Sequence, residues 1–595
     1  MEQINAQDQP IPDTRYTFRT GWPRLSALPV ETLSQDHNVP IFFPDGMTNV
    51  EDILDIVERN GVLVVDNYLC YRYSKGAPVP EGKPTYLIYS DLRYEGQNIT
   101  AWRQAVSDVL SMFQQKSIDN VAIEIVDQQT NCRIKTDIIH PDEKEVLKAW
   151  DECMPRIAEC LFNHNWVSLD LLHRSWIGAQ QDAKATVVIS AADANDSEWD
   201  QTLGTLRAIL PEFLGIELVY LGTIFAADTS IDPDRIRNAM TERMKMLVYR
   251  DSKLIPMGAS CGRHWKIGEK AAKTQVGKDS KLSSESGTLG GLVKLEGFTQ
   301  QFGLSNRHVF IEDGDQKAPE KERTPVVAPS NTDHGKSLKV LEENILYLSL
   351  DREPQLQDRL ELQSNKEMED KIKGFDREIG RVYASSVEGA ILNPYVEEKR
   401  RKNWVSDWCL VELDQKKEIE AMTPRTYAGG SPAEVTKYQS IVPSELYNVM
   451  KFGKATGKTN GIVSAAMSRA REASLPKNTF KKSSIAEYSG EEAGYTRIHE
   501  FRLCYAIRHC NSALNFMEEG DSGCFVLLDP DANNTSAGSN GFKPAPVVGL
   551  GFGYNNITGS AYMMPMDLVV KDIKDVTGKR VTHPVNGGMA QPRKR

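Results

Sequence analysis

Glu519-Gly520-Asp521-Ser522-Gly523-Cys524-Phe525-Val526 decides how the second half of this chain is read. A serine framed by aspartate and two glycines, then an apolar run, is how a hydroxyl sits on a tight turn before a buried strand. Gly520 lets the backbone turn and aims an N–H where negative charge would develop. The N–H of Ser522 would be the second donor of such an oxyanion pair, and its hydroxyl is offered as a nucleophile. Alone, these four residues describe an ordinary turn, so two upstream segments carry the weight.

The first is Phe302-Gly303-Leu304-Ser305-Asn306-Arg307-His308-Val309-Phe310, where a histidine closes a short apolar strand. It follows another apolar run, Gly287-Thr288-Leu289-Gly290-Gly291-Leu292-Val293. The second is Val405-Ser406-Asp407-Trp408-Cys409-Leu410-Val411-Glu412-Leu413, where an aspartate opens a strand. Asp407 alone reads as a strand-start turn residue, and Ser522 alone as a turn serine. Together they give the chain order His308, Asp407, Ser522. That order separates one Ser-His-Asp arrangement from the two other known ones.

On these residues the chain resembles the chymotrypsin/trypsin-like serine proteases. In detail it looks most like the large, intracellular-looking trypsin-like proteases of fungi. His308 matches the family's histidine segment, Asp407 its acid segment and Ser522 its Gly-Asp-Ser-Gly. Val449–Gly453 before Gly461-Ile462-Val463 resembles the start of the second barrel. Ser560–Pro565 resembles a late strand, and Asp567–Val576 the closing helix. The resemblance spans about residues 255–580. It implies catalytic His308, Asp407 and Ser522, and an oxyanion hole from Gly520 and Ser522. It also implies that Gly551, Phe552 and Gly553 pair with substrate backbone, and that Phe516, with Met517 beside it, floors the P1 pocket. No carboxylate stands at that floor, so a small or apolar P1 side chain is expected.

Val309 replaces the cysteine that often follows the family's histidine, Arg307 replaces a small residue, and Cys524-Phe525 replaces Gly-Pro. In secreted members the Gly-Asp-Ser-Gly aspartate pairs with a new N-terminus. No activation site is evident before about residue 265, which leaves Asp521 without a partner in the sequence. Arg307 and this missing activation logic support a second reading: a catalytically silent protease-fold interaction or scaffold protein.

Composition narrows the class. The chain has 595 residues, 40% of them hydrophobic and 26% charged, which suits a soluble globular protein of several domains. A net charge of −11 with no basic domain argues against nucleic acid, and no run is apolar and long enough for a membrane span. Protein or peptide substrates are the expected partners. Met1 to Gln7 has no signal-peptide pattern. Nine cysteines lack paired spacing, so reduced thiols and an intracellular location, cytoplasmic or nuclear, are expected. No cofactor is expected, and no metal: Cys504 and Cys510 near His499 and His509 lack metal-ligand spacing. Gly453-Lys454-Ala455-Thr456-Gly457-Lys458-Thr459 misses the phosphate-loop spacing by one residue and reads as a hairpin turn.

The fold class is α+β and multidomain, an N-terminal α/β domain followed by what the resemblance implies is a chymotrypsin-like double β-barrel. Residues 1–45 read as a loosely ordered tail. Residues 46–250 read as the α/β domain, beginning with a helix at Val50–Val57 and a strand at Gly61–Val65. Two βαβ-like units follow, with apolar helix faces Trp102, Val106, Val109, Phe113 and Trp199, Leu203, Leu206, Leu210, Phe213. A linker helix is expected at Asp234–Tyr249. The protease domain covers 255–580 with a solvated insertion at 311–378, helical from about Gln355 to Lys373. An exposed loop spans 529–545, and 581–595 is a polar tail. The N-terminal domain is expected to be separable and to gate access to the site.

Overall fold

The computed structural model describes residues 12–582 except 14, 17, 35–42, 44, 78–83, 129–133, 177–182, 222–248, 265–285, 312–323, 351–354, 387–403, 421–432, 443–444, 471–501, 512–513 and 534–541. Apart from Tyr249, the linker helix expected at Asp234–Tyr249 lies outside these residues, as does the tail from 583. The protein is α+β. It divides into two compact units, Met1–Asp137 with Lys148–Thr223, and Ile138–Leu147 with Ile224–Arg595.

In the first unit, strands Thr85–Ser90 and Ala122–Asp127 lie parallel, joined through helix Ile99–Gln115. Asn98 caps that helix, its side chain accepting from the Ala101 N–H at 2.9 Å. Trp102, Val106, Val109 and Phe113 fall on one face and are all buried. A second parallel pair, Lys184–Ala191 and Gly215–Tyr220, is joined through helix Trp199–Ile209. Phe213 lies beyond that helix and is exposed, because the helix stops ahead of Pro211.

Two expectations fail here. Residues 1–45 are not merely a tail: Arg19–Trp22 pairs with Ala122–Asp127, and Val30–Ser34 pairs with Asp66–Ser74. The polar-looking Arg19 is buried because Glu124 holds it and Arg72 together, at 3.3 and 2.9 Å. Gly61–Val65 is not a strand. It is the connection into Asp66–Ser74, and Leu63 and Val65 are exposed.

The second unit contains two largely antiparallel sheets that curl; Ala433–Tyr438 adds to the second as a parallel strand beside Lys543–Asn555. One runs in the order Gly287–Leu289, Ala259–Arg263, Pro325–Val327, Glu378–Ser385, Cys409–Leu413, Phe302–Ser305, Gly291–Leu295, Val581–Thr582. Gly287–Leu289 and Gly291–Leu295 are consecutive in the chain, so Gly290 alone bends the sheet back on itself. In the other sheet the ladder closes. Asn448–Gly453, Phe525–Leu528, Lys543–Asn555, Ser560–Pro565, Arg502–His509 and Gly457–Ala470 each pair with the next, and the last pairs with the first. Closure removes the free edges.

The insertion is more ordered than its composition indicates. Pro325–Val327 and Glu378–Ser385 pair directly, and between them stand helices Asn331–Leu350 and Leu356–Lys373. Only a few residues, such as Leu341 and Ile372, face the core, so a composition reading sees solvated chain. Among the described residues no helix is long and apolar enough to cross a membrane.

Candidate active site

His308 lies on a short 3-10 turn, Arg307–Val309, after the Phe302–Ser305 strand. Asp407 precedes Cys409–Leu413, the strand that pairs with it. This pairing brings the two side chains together: His308 Nδ1 lies 2.5 Å from Asp407 Oδ2. The His308 backbone N–H donates to Asp407 Oδ1 at 3.1 Å, and Asn306 Nδ2 donates to the Asp407 carbonyl at 2.5 Å. Burial works against the Asp407 carboxylate. The His308 charge and the hydrogen bonds from His308 and the Arg307 backbone outweigh it and hold the pKa below the ordinary carboxylate range. Arg307 therefore supports the acid through its main chain.

From its other side Asp407 is framed by the helix Met566–Thr577. Asp572 accepts from Ser406 Oγ at 3.0 Å and from Trp408 Nε1 at 2.6 Å, the two neighbours of Asp407.

Ser522 lies on the turn before Phe525–Leu528. Its carbonyl accepts from the Thr288 N–H at 2.8 Å, and Thr288 Oγ1 donates to the Gly520 carbonyl at 2.9 Å. The apolar run at Gly287–Val293 therefore packs against the serine turn. Gly287 shows how closely: a Cβ there would collide with the Val309 side chain and touch the Ser522 carbonyl at 3.1 Å. His308's neighbour and the serine turn thus flank one glycine. Gly523 has φ +95° and sits against Ser305 and the Thr288 carbonyl, so no side chain fits. The Ser522 hydroxyl donates to the Phe552 carbonyl at 3.1 Å.

Asp521 has the partner that the sequence withheld. Its carboxylate is fully buried and meets Lys451 Nζ at 2.7 Å, from the Asn448–Gly453 strand. It also accepts from Thr456 Oγ1 at 2.7 Å, the Ala455 N–H at 2.8 Å, the Glu518 N–H at 3.2 Å and the Thr456 N–H at 3.3 Å. The segment that narrowly misses a phosphate loop is a turn whose amides cradle an anion, and the anion is Asp521. Burial raises the Asp521 pKa, but Lys451 and the hydrogen bonds bring it below the ordinary value. A lysine inside an apolar strand was the one sequence signal for this, since a buried cation needs a partner.

The depressed carboxylates set a pH dependence. Asp407 and Asp521 have folded pKa values below their unfolded ones. The stability they contribute is complete above the unfolded value of about 3.9 and is lost as pH falls through the folded values. Tryptophan fluorescence should therefore stay native from neutral pH down to about 5 and change only in stronger acid. A transition centred near pH 6 would contradict this assignment.

Of the residues expected to meet substrate, Phe516 and Met517 are buried, and Met517 Sδ faces Gly551. Gly551 does not fit the role expected of it. Its N–H donates to the Cys524 carbonyl at 3.0 Å and its carbonyl accepts from the Gly523 N–H at 2.8 Å, so neither is open to a substrate backbone. The pairing with Ser560–Pro565 shifts register between Gly551 and Gly553, so Phe552 is the bulged residue. Cys524 is not a competing nucleophile, because burial pushes its thiol up to about 12. Among the described residues no histidine, cysteine and carboxylate cluster suits a metal ion.

No protein-family model matches this sequence, and no curated protein matches it. Several solved structures are similar. Thermobifida fusca protease A is 12% identical, with a TM-score of 0.25 over 56% of this chain and 99% of that one. A glutamic acid specific serine protease that uses a histidine triad in substrate binding is 12% identical, with a TM-score of 0.26 over 55% of this chain and all 100% of that one. A chymotrypsin from Cellulomonas bogoriensis is 13% identical, with a TM-score of 0.23 over 50% of this chain and 92% of that one.

Proposed function

We propose that this chain is a serine endopeptidase, with the two curled sheets of residues 255–580 as its two barrels and the α/β domain ahead of them. Ser522 Oγ leaves the Phe552 carbonyl, gives its proton to His308 and attacks a peptide carbonyl. His308 then hands the proton to the leaving amine, and water reverses the sequence on the acyl-enzyme. Asp407 fixes the tautomer and stabilises the imidazolium. Gly520 and Ser522 N–H groups receive the oxyanion. Protein or peptide substrates follow from this chemistry, and buried, apolar Phe516 and Met517 favour a small or apolar P1 side chain.

The observation that carries this reading is the 2.5 Å His308–Asp407 contact beside a serine turn that is already anchored. Lys451 supplies the internal cation to which Asp521 binds, so the turn is set without a cleaved N-terminus. The hydroxyl resting on the Phe552 carbonyl favours the silent-scaffold reading instead. Reaction with a fluorophosphonate separates the two. Mass spectrometry should place a single adduct on the peptide containing Ser522; an adduct elsewhere, or none, would overturn the hydrolase assignment.

A further inference from the structure

A second buried lysine lies beside the serine turn, in the segment first read as a hairpin. Lys454 Nζ meets Ser286 Oγ at 2.7 Å and Asp333 Oδ2 at 3.1 Å. Both side chains are nearly inaccessible. Asp333 stands in the first turn of helix Asn331–Leu350 and also accepts from Ser260, from Ser286 at 2.8 Å and from Ser330 at 3.1 Å. Three hydroxyls and one ammonium thus converge on one carboxylate oxygen, and these bonds lock Lys454 in place.

The stem of Lys454 reaches the site. Gly520 has φ +98°, and a Cβ on it would collide with Lys454 Cε. Main chain reinforces the contact. The Lys454 N–H donates to Thr288 Oγ1 at 3.1 Å, and that hydroxyl donates to the Gly520 carbonyl at 2.9 Å. Gly520 is therefore held through its carbonyl and packed at its Cα from one side.

We infer that Lys454 and Asp333 are positioning residues for the oxyanion hole: Asp333 anchors the lysine, and its stem, packed on the Gly520 Cα, fixes the Gly520 φ so that the N–H keeps its aim. This rests on the hydrolase reading above. It gives the helical insertion a role in the site, because Asp333 belongs to the insertion.

Lys454→Met keeps a stem but loses the anchor, and leaves Asp333 charged and buried. Lys454→Met combined with Asp333→Asn removes that uncompensated charge and should recover most of the stability. In this folded double variant kcat should fall about 10- to 100-fold, against the 10²–10³ lost when an oxyanion donor is deleted outright, with KM within about twofold. Affinity for a peptide boronate, which needs the oxyanion hole, should fall by the same factor as kcat/KM. Hydrogen exchange at residues 518–524 should quicken. A double variant with wild-type kcat, boronate affinity and exchange would overturn the inference. If the wild type never reacts with fluorophosphonate, the hydrolase reading falls, and exchange alone decides: faster exchange supports the anchor, unchanged exchange overturns it.

Discussion

Ser522→Ala should reduce turnover of a peptide substrate by roughly 10⁶-fold while the protein stays folded, the scale seen when a triad serine is removed. Removing the hydroxyl gives up its neutral bond to the Phe552 carbonyl, a loss on the order of 1 kcal/mol. The turn is held by other groups: Thr288 on the Ser522 and Gly520 carbonyls, and the bonds to Asp521. Cys524→Ala, two residues away, should retain reaction with fluorophosphonate, because that thiol is buried and protonated. Comparable turnover by Ser522→Ala and wild type would mean that the nucleophile lies elsewhere. Loss of labelling in Cys524→Ala, with the fold intact, would point to the sulfur.

The second large effect is on stability. Lys451→Met should cost about 3–5 kcal/mol, because it leaves Asp521 charged without a counter-ion in a fully buried site. The loss should depend on pH, and its sign is fixed. In the wild type the lysine depresses the Asp521 pKa. Without it burial dominates, the pKa rises, and protonation at low pH relieves the unpaired charge. The variant should therefore lose most stability relative to wild type at pH 8 and less at pH 5, read as the shift in urea midpoint. Adding Asp521→Asn should recover part of the loss and flatten that dependence. A Lys451→Met protein as stable as wild type at pH 8 would remove the basis for an internally set serine turn.

The candidate site was legible where chemistry shows as short local patterns. Gly-Asp-Ser-Gly before Phe525, His308 closing one strand and Asp407 opening another each occupy about nine residues, and their elements do fall next to one another. What stayed hidden depends on long-range pairing. Lys451 and Asp521 are 70 positions apart, and Lys454 and Asp333 are 121 apart, so only the folded sheets bring them together. Gly551 was misjudged because a glycine-rich strand does not reveal which of its edges is already occupied. Helix Asn331–Leu350 was missed because most of its surface meets water, which weakens the apolar stripe that marks a helix. The strands at Arg19–Trp22 and Val30–Ser34 were missed for a similar reason: Pro23, Pro29 and a buried arginine speak for a loop until Glu124 is seen beside them.

Asp572, which clasps both neighbours of Asp407, has a consequence for the order in which a ribosome makes this chain. Ser406 and Asp572 are 166 positions apart. At about 5–20 residues per second, the interval between their syntheses is roughly 10–30 s. Through that interval a growing chain carries His308 and Asp407 without the helix that frames the acid. The Val581–Thr582 strand that pairs with Leu295 arrives later still. On the serine endopeptidase reading, the order of synthesis would keep the chain silent first because Ser522 is not yet made, and then, over the 50 residues from Ser522 to Asp572, because the clasp on Asp407 is still missing. Nascent chains stalled before residue 560 should not react with fluorophosphonate, whereas released full-length chain should. A reactive stalled chain would show that the clasp is dispensable.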